Sequence, residues 1–447
     1  MKVDILVIGA GPAGMSAATE ARRHGATVLL LDENGAPSGQ VHRAARADAT
    51  GPGAVQAREG AALIAGLQAS GAEVRHGALL WSIEPGPRAF FLKDGTAEEI
   101  EAGRIVLAGG ATERALPIPG WTLPGVMGVG AAQILLKSAG LRPRGRVWIA
   151  GQGPLIWLYA TQVLAKGGEL AGIVDMSRIA PRALLQLPRA LGAPSYLLRG
   201  LSWMRAVRRW VPVLRTRDVV AEGRDRLEGV LIDGRRHGAD TLLLHDGVVP
   251  NTQVTRAIQG CDHRWNTAQH AWEPAVDAWG NTSVPGIIVA GDGGGIGGAA
   301  VAALSGRIAA LEACRAVDRL GTEQRDSLAA PLLRRRRSEQ ASRAFLDALF
   351  VPLPMPANDV ILCRCEEVMA GRVREAGELG CLGTNQLKAF TRAGMGLCQG
   401  RTCGPLLHAT LAEARGVPAE TVNPLRTRFP TKPLTLGELA SLALPKT

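Results

Sequence analysis

The feature that most constrains the fold of this chain is a strand, turn, helix and strand pattern in its first 33 residues. Residues 3–8 form an apolar run typical of a buried parallel strand, and residues 27–31 form the next one. An alanine-rich helix ending near Arg23 separates them. The turn before that helix has the spacing G-x-G-x-x-G: Gly9, Ala10, Gly11, Pro12, Ala13 and Gly14. This order predicts a dinucleotide-binding βαβ unit.

Each glycine of the turn has a distinct expected role. Gly9 permits the tight turn, Gly11 lets a pyrophosphate approach the backbone, and Gly14 lets the helix pack on the strand. The helix N-terminus supplies N–H donors and the positive end of its dipole, which together attract phosphate. The turn therefore predicts a nucleotide cofactor, and by itself it leaves FAD and NAD open.

Acidic residues after two of the strands bear on that choice. Asp32, 23 residues after the first glycine of the turn, is placed to accept hydrogen bonds from adenosine ribose hydroxyls, and Glu33 follows it. A distant apolar strand over 284–290 leads into Gly291 and Asp292. A carboxylate there can reach the ribityl hydroxyls of a flavin, although Asp292 alone is also consistent with a helix cap. Combined with the first turn, it favours FAD.

A second βαβ-like pattern begins about 140 residues after the first. An apolar strand precedes Gly151 and Gly153, and another precedes Asp175. Ile156 stands where a third glycine would let the helix pack closely. An NAD(P) site, a site for another adenine nucleotide and a vestigial site all stay open at this position.

Four cysteines form the second strong motif, with the spacing C-x-C, 32 intervening residues and C-x4-C: Cys363, Cys365, Cys398 and Cys403. Four thiolates can ligate a [2Fe–2S] cluster. Zinc is the main alternative, but structural zinc sites usually use C-x2–4-C pairs. The interleaved arginines and glycines favour an anionic iron–sulfur centre, since cations and backbone N–H groups stabilise it. The other cysteines are expected to be small buried residues: Cys261, Cys314 and Cys381.

Composition argues against several other classes of protein. The 447 residues are 46% hydrophobic and 20% charged, which predicts a folded chain of about three domains. The net charge is +11, but its 44 arginines are spread along the sequence and aromatic residues make up only 4%. A nucleic-acid partner is therefore not expected, because base stacking is poorly supplied.

Targeting signals also bear on where the chain works. The N-terminus has no separate apolar segment followed by a cleavage site. The longest run without charge, 147–165, contains glycines and a proline, so it predicts a strand, a turn and a helix rather than a transmembrane segment. We expect a cytoplasmic protein without a transmembrane segment, peripheral to the inner membrane at most through its electron acceptor.

The chain resembles the two-dinucleotide-binding-domain flavoproteins, most closely the FAD-containing α (A) subunits of heteromeric opine and amino-acid dehydrogenases. That group includes the opine oxidase A subunits, the α subunits of D-hydroxyproline and L-proline dehydrogenases, and the B subunits of hydrogen cyanide synthases. The matching stretches cover most of the chain: GAGPAGMSAA, LLLDEN, GGATERALPIPGWTLPGVMGVGAAQ, GQGPL, GVVPNT, SVPGIIVAGDGGGIGGAA and the cysteine motif CRCEEV…KAFTRAGMGLCQGRTC.

The resemblance implies an α/β fold with two Rossmann-like domains, of which the FAD domain is discontinuous. It also implies a small α-helical C-terminal module like bacterioferritin-associated ferredoxin, with the [2Fe–2S] cluster on the four cysteines. Further FAD contacts are implied at Gly39, Gln40 and Ala111. The expected divisions are 1–120 with 256–320 for the FAD-binding domain, 121–255 for the NAD(P)-binding-like domain, 321–356 for a linker, and 357–447 for the module and its tail.

The implied function is electron transfer within a heteromeric dehydrogenase that oxidises the C–N bond of an opine or amino acid. The substrate site is expected on a partner, a flavoprotein β subunit, and a small ferredoxin-like subunit is a further candidate partner. Two alternatives stay open: an NAD(P)H-dependent FAD/[2Fe–2S] reductase that feeds a partner protein, and a nucleotide-bound structural subunit. Disulfide reductase chemistry is excluded, since no cysteine precedes Cys261.

Overall fold

A computed structural model describes residues 2–46, 48–178 and 194–443, together with 183, 185, 186 and 188. Its first sheet has seven strands with apolar cores on both faces. Five of them are parallel, in the order Glu73–His76, Val28–Asp32, Lys2–Ile8, Thr96–Leu107 and Ile287–Val289. The sheet continues in two antiparallel strands, Arg88–Lys93 and Leu79–Glu84.

The first domain is discontinuous, as predicted. Strand Ile287–Val289 returns to the first sheet after the whole second sheet has been formed, and it pairs with Thr96–Leu107. Helix Ala299–Ala316 then packs along Pro12–Arg23, the helix that follows the first glycine turn. The helix Ala54–Ala69 also contacts Pro12–Arg23.

The second sheet has five parallel strands, as expected of a second Rossmann-like unit. Their order is Val213–Leu214, Gly172–Asp175, Val147–Gly151, Thr241–His245 and Val126–Gly128. Its helices are Val129–Ala139, Pro154–Ala165 and Pro194–Arg208. A three-stranded antiparallel sheet is formed by Val219–Glu222, Gly229–Ile232 and Arg235–Gly238. The uncharged run 147–165 is a strand, a turn and a helix, as predicted.

Two antiparallel strands carry the chain between the sheets. Ala111–Glu113 leaves the first sheet and pairs with Val248–Pro250, which follows the second. The short helix Gln253–Ala257 and the hairpin of His263–Asn266 and Ala271–Pro274 come next.

The segment expected to be a linker, 321–356, is docked in the structure. Its 28-residue helix Thr322–Leu349 packs on Ala299–Ala316, and Ala329 and Leu332 enter the first core. Beyond the helix, the carbonyl of Val351 accepts a hydrogen bond from Gln152. The four domain divisions given above stay predictions.

The C-terminal module has its own apolar core and is mainly helical. It begins with the short strand pair Ile361–Cys363 and Val368–Met369, followed by helices Ala370–Glu378, Thr384–Thr391 and Gly404–Arg415. The rest of the chain, with a one-turn helix at Leu436–Ala440, runs back over the first sheet, where the Thr431 N–H donates to the carbonyl of Trp81. Across the described ranges, no helix combines the length and apolar character needed to cross a bilayer.

Candidate cofactor sites

Two loops from distant parts of the chain meet at the first glycine turn. A Cβ atom on Gly39 would lie 2.8 Å from the Cα of Gly11, and one on Gly291 would lie 2.8 Å from the Cβ of Ala13. A Cβ on Gly14 would overlap the carbonyl oxygen of Gly9, at 1.7 Å. The structure therefore brings the predicted residues of the turn together with Gly39 and Gly291.

Gly11 is the position that tests whether this turn fits a pyrophosphate. Within 4 Å, a Cβ on Gly11 would meet only the Cα of Gly39, at 3.9 Å. Its φ of −76° is ordinary for any residue, so neither packing nor backbone geometry requires glycine. The open space lies at the N-terminus of the 12-residue helix Pro12–Arg23. That arrangement fits the phosphates of FAD, because the first N–H groups of a helix lack partners within it.

The two acidic residues after the second strand have different environments. Asp32 is buried, and its carboxylate accepts hydrogen bonds from the N–H of Ala10 at 2.5 Å and from the backbone and side chain of Asn34 at 2.7 and 2.8 Å. Glu33 is exposed and forms an ion pair with Lys432 of the C-terminal tail. Asp32 thus holds the glycine turn in place, and its contact with the ribose stays a prediction. The involvement of Lys432 was not foreseen.

Asp292 uses one of its carboxylate oxygens as a cap. Its Oδ1 accepts hydrogen bonds from the N–H groups of Gly297 and Gly298, both at 2.9 Å, just before helix Ala299–Ala316. Its Oδ2 accepts none from the described residues, which leaves that oxygen for a ligand hydroxyl. Of the other predicted contacts, Ala111 lies in the interdomain strand pair and Gln40 is exposed beside Gly39.

The second glycine turn is built differently from the first. Gly151 has a φ of 144°, and a Cβ there would lie 2.0 Å from the carbonyl oxygen of His245. Gly153 has a φ of 98°, and Ile156 is fully buried below the turn. Asp175 is buried and accepts hydrogen bonds from the backbone N–H and hydroxyl of Ser177 at 3.1 and 2.6 Å. The predicted nucleotide site on Gly151 and Gly153 stays a prediction.

A partly buried pair beside this turn was not predicted from the sequence. His245 Nδ1 lies 2.6 Å from a carboxylate oxygen of Glu113, which also accepts from the N–H of Gly130. Gln152, inside the turn, donates to Asp246 at 2.7 Å. These residues join the interdomain strands to the second turn. His245 and Glu113 are 132 positions apart, so nothing local in the sequence signals the pair.

The four predicted cluster ligands converge in the C-terminal module. Their side chains interact in three pairs, Cys365 with Cys398, Cys398 with Cys403, and Cys403 with Cys363. No group of three or more His, Cys, Asp or Glu side chains within the described ranges has the geometry of a site for one metal ion. The thiols instead interact in successive pairs. Cys381 is buried elsewhere, with its thiol donating to the carbonyl of Gly383.

Thiol and backbone donors favour the thiolate form at two of these positions. The hydrogen bond from the Cys403 thiol is the main reason that the pKa of Cys398 falls to about 4 and that of Cys363 to about 6. Backbone N–H groups add to the effect, including that of Gly394, 3.5 Å from the Cys363 sulfur. Thiolates surrounded by N–H donors are the ligands that an iron–sulfur cluster needs, so the residues present fit a [2Fe–2S] centre.

Arg401 lies between Cys398 and Cys403 in the sequence, and its side chain joins three parts of the molecule. Its guanidinium donates to the side-chain oxygen of Gln253 in the helix after the interdomain strands, and to the carbonyl of Thr431 in the tail. Arg364 instead lies over the ring of Trp121, and Arg392 pairs with a glutamate. Arg401 and Arg364 therefore attach the module to the rest of the chain, whereas Arg392 pairs with Glu366 inside the module.

The remaining cysteines lie away from both sites. Cys314 is fully buried and Cys261 is half-buried. Burial raises the pKa of Cys314 to about 12 and that of Cys261 to about 11, which keeps both as neutral thiols. These environments agree with the packing role that we expected for them.

Family models match two parts of the chain. Residues 3–155 match the pyridine nucleotide-disulphide oxidoreductase family, and residues 361–413 match the BFD-like [2Fe-2S] binding domain. The first match covers the first glycine turn and the start of the second unit, and the second covers all four clustered cysteines. FAD and a [2Fe–2S] cluster are therefore the cofactors of this fold, as predicted.

Full-length relatives agree with these matches. The opine oxidase A subunit of Agrobacterium tumefaciens (strain Ach5) is 40% identical over 98% of this chain and 92% of its own length. The hydrogen cyanide synthase protein HcnB of Pseudomonas protegens is 31% identical over 97% of both chains. The crystal structure of L-proline dehydrogenase from P. horikoshii has the same fold, with a TM-score of 0.74 at 20% identity over 98% of this chain and 79% of its own.

Proposed function

Since the chain belongs to the family of opine oxidase A subunits, we propose that it is the electron-transfer subunit of a heteromeric dehydrogenase that oxidises the C–N bond of an opine or amino acid. The observation that carries this proposal is the convergence of four thiols in a module docked on a dinucleotide-binding domain. When bound, FAD and the cluster supply the exchange between two-electron and one-electron transfer.

The chain's own residues hold these groups at fixed positions. The first turn presents the open space at Gly11 and helix N–H donors, and Asp292 presents a free carboxylate oxygen. In the module, Cys363, Cys365, Cys398 and Cys403 are the proposed cluster ligands. The Arg401 contacts with Gln253 and Thr431 keep the cluster loop against the FAD-binding domain. Substrate oxidation is assigned to the partner, a flavoprotein β subunit.

Apolar side chains beside the cysteines indicate where that partner docks. Phe390, Met395 and Leu397 are 63%, 49% and 83% exposed on the module, and Cys365 is also exposed. The three side chains lie within eight consecutive residues, and groups of large exposed apolar side chains are typical of protein interfaces. Electrons must pass between the two proteins near the cluster, so we place the β subunit on this surface, here called the cluster face.

Co-expression with a candidate β subunit tests the proposal. We expect a stable complex in which an opine or a proline derivative, added anaerobically, bleaches the flavin absorption and produces the electron paramagnetic resonance signal of a reduced [2Fe–2S] cluster. This chain alone should show neither change with the same substrates. Substrate oxidation by the isolated chain at the rate of the complex would contradict the proposal.

A variant of the cluster face separates docking from cofactor loading. Leu397→Glu places a charge on the face without altering a proposed ligand, so iron content should stay at the wild-type level while co-purification of the β subunit is lost. Leu141→Glu, at a leucine that is 57% exposed outside the module, is the control and should leave the complex intact. Equal recovery of the β subunit with both variants would remove the cluster face as the docking site.

A further inference from the structure

A pocket of about 380 Å³ lies between the interdomain strands and the cluster module. One wall comes from residues 249–256, another from the hairpin around Trp265 and Trp272, and a third from the helix Gly404–Arg415. Its volume is in the range of small-molecule sites. It lies outside both glycine turns and the four-cysteine set, and the proposed function makes no use of it.

Three arginines line this pocket, and their hydrogen-bond acceptors are neutral. Arg114 donates to the carbonyls of Gln269 and His270 at 3.0 and 3.1 Å. Arg256 donates to the carbonyls of Leu425 and Thr252 at 3.1 and 3.4 Å. Arg401 donates to the amide oxygen of Gln253 and to the carbonyl of Thr431.

The positive charge of these guanidinium groups is only partly balanced. Asp246 favours the charged form of Arg114, but Glu413, the carboxylate in the lining, is 55% exposed and pairs with Arg374. Arg114 is 8% exposed, and its Nε has no acceptor among the described residues. Burial lowers the pKa of Arg256 to about 10, and no carboxylate offsets that effect. A buried cation without a counter-ion is costly, so the pocket favours an anion.

Aromatic rings also line the pocket. The Trp265 ring centre lies 5.8 Å from that of Trp272 and 4.8 Å from that of His408, which is tilted by 32° to Trp265. Leu353 and Met355, from the segment after the long helix, add apolar surface. A ligand that matches both the arginines and the aromatic side chains has an oxyanion head and a planar apolar body.

We propose that this pocket binds a small aromatic anion, with its carboxylate or phosphate head held by Arg114 and Arg256 and its ring against Trp265 and His408. Such a ligand lies between the two candidate redox sites. On one side, Asn251 hydrogen-bonds to Gly109 and Gly110, next to the loop of Asp292. On the other, Arg401 and Gly404 flank the candidate ligand Cys403.

Isothermal titration calorimetry of the full chain tests the site with four defined probes. Benzoate and phenyl phosphate carry both ligand features with different heads, inorganic phosphate carries the head alone, and benzyl alcohol carries the body alone. We expect saturable binding of benzoate, phenyl phosphate or both, at least tenfold tighter than either single-feature probe. The tighter of the two aromatic anions identifies the head. No saturable binding of either one, or equal binding of benzyl alcohol, would overturn the proposal.

Two variants locate the binding. Arg256→Met removes a charge-assisted contact and should weaken the tighter probe roughly 10- to 100-fold. Arg372→Met, at an exposed arginine of the module, makes the same change in net charge and should leave affinity unchanged. Ala409→Phe fills the pocket from the helix Gly404–Arg415 without removing a charge, and should abolish binding. This second variant tests the site independently if Arg256→Met fails to fold. Wild-type affinity in Ala409→Phe would place the probe elsewhere and refute the assignment.

Discussion

Replacing Gly11 by alanine should separate FAD binding from folding. The added methyl group would meet only the Cα of Gly39, at 3.9 Å, and the backbone angles of Gly11 suit alanine. The apo protein should therefore change in stability by less than about 1 kcal/mol. The methyl would, however, occupy the space through which a pyrophosphate approaches the helix N-terminus. Losing one or two charge-assisted hydrogen bonds there costs about 3 kcal/mol, which weakens FAD binding roughly 150-fold.

The assay pairs two measurements on each variant. FAD affinity comes from titration of the apo protein, followed by quenching of flavin fluorescence, and stability comes from thermal unfolding of the apo protein by circular dichroism. Gly66→Ala is a matched control on the helix Ala54–Ala69. The added Cβ would meet only the side chain of Thr19, at 3.9 Å. Gly14→Ala should instead lower apo stability, since its Cβ would overlap the Gly9 carbonyl. If Gly11→Ala keeps wild-type FAD affinity, our interpretation of the turn is wrong.

Three further predictions concern the module, the tail and the helix Ala299–Ala316. Cys398→Ser should lose the iron and the brown colour while Cys381→Ser keeps both, as measured by iron analysis; full iron content in Cys398→Ser would disprove the ligand set. Lys432→Met removes the ion pair with Glu33 and should weaken FAD binding about 3- to 10-fold. Lys388→Met, the control, should leave FAD affinity unchanged in the same titration. Equal FAD affinity of the two variants would exclude the tail from the FAD site. Burial opposes ionisation of Glu312, but hydrogen bonds from Arg315, Arg325 and Asn281 outweigh it and lower its pKa from 4.5 to about 2. The ionised group therefore stabilises the fold fully above pH 4.5, and this contribution is lost as the pH falls to about 2. It amounts to at most about 3 kcal/mol, because water screens the partly exposed Arg315. The free energy of unfolding in urea should differ less between pH 7 and pH 3 in Glu312→Gln than in the wild type. An equal difference in the two proteins would refute the assignment.

The sequence predicted those parts of the molecule that are encoded locally. The first glycine turn lies within one strand–helix unit, where its spacing alone dictates which backbone atoms approach each other. The convergence of the four cysteines was also predictable, because two short motifs contain all four candidate ligands. The strand, turn and helix of 147–165 followed from the position of glycines and a proline inside an apolar run.

Contacts between distant residues could not be predicted in the same way. Glu113 and His245 belong to different sheets, and Arg401 and Gln253 are 148 positions apart. Their pairing depends on how the domains pack. The linker prediction had a related weakness: the charged surface residues of helix Thr322–Leu349 dominate its composition, while Ala329 and Leu332 supply the buried contact. The average polarity of this helix therefore gave no indication of the few apolar residues that pack on the first core.

The contacts between the module and the two domains argue that the cluster site does not move as a tethered carrier. The indole N–H of Trp121 donates to the carbonyl of Ile361 at 2.7 Å, and Arg256 donates to the carbonyl of Leu425. Arg401 adds a third attachment at Gln253. Attachments at the beginning, middle and end of the module restrict both rotation and translation. If the partner docks at the cluster face, as we propose, the Leu397→Glu variant should retain its cofactors and lose electron transfer to the partner together with the complex.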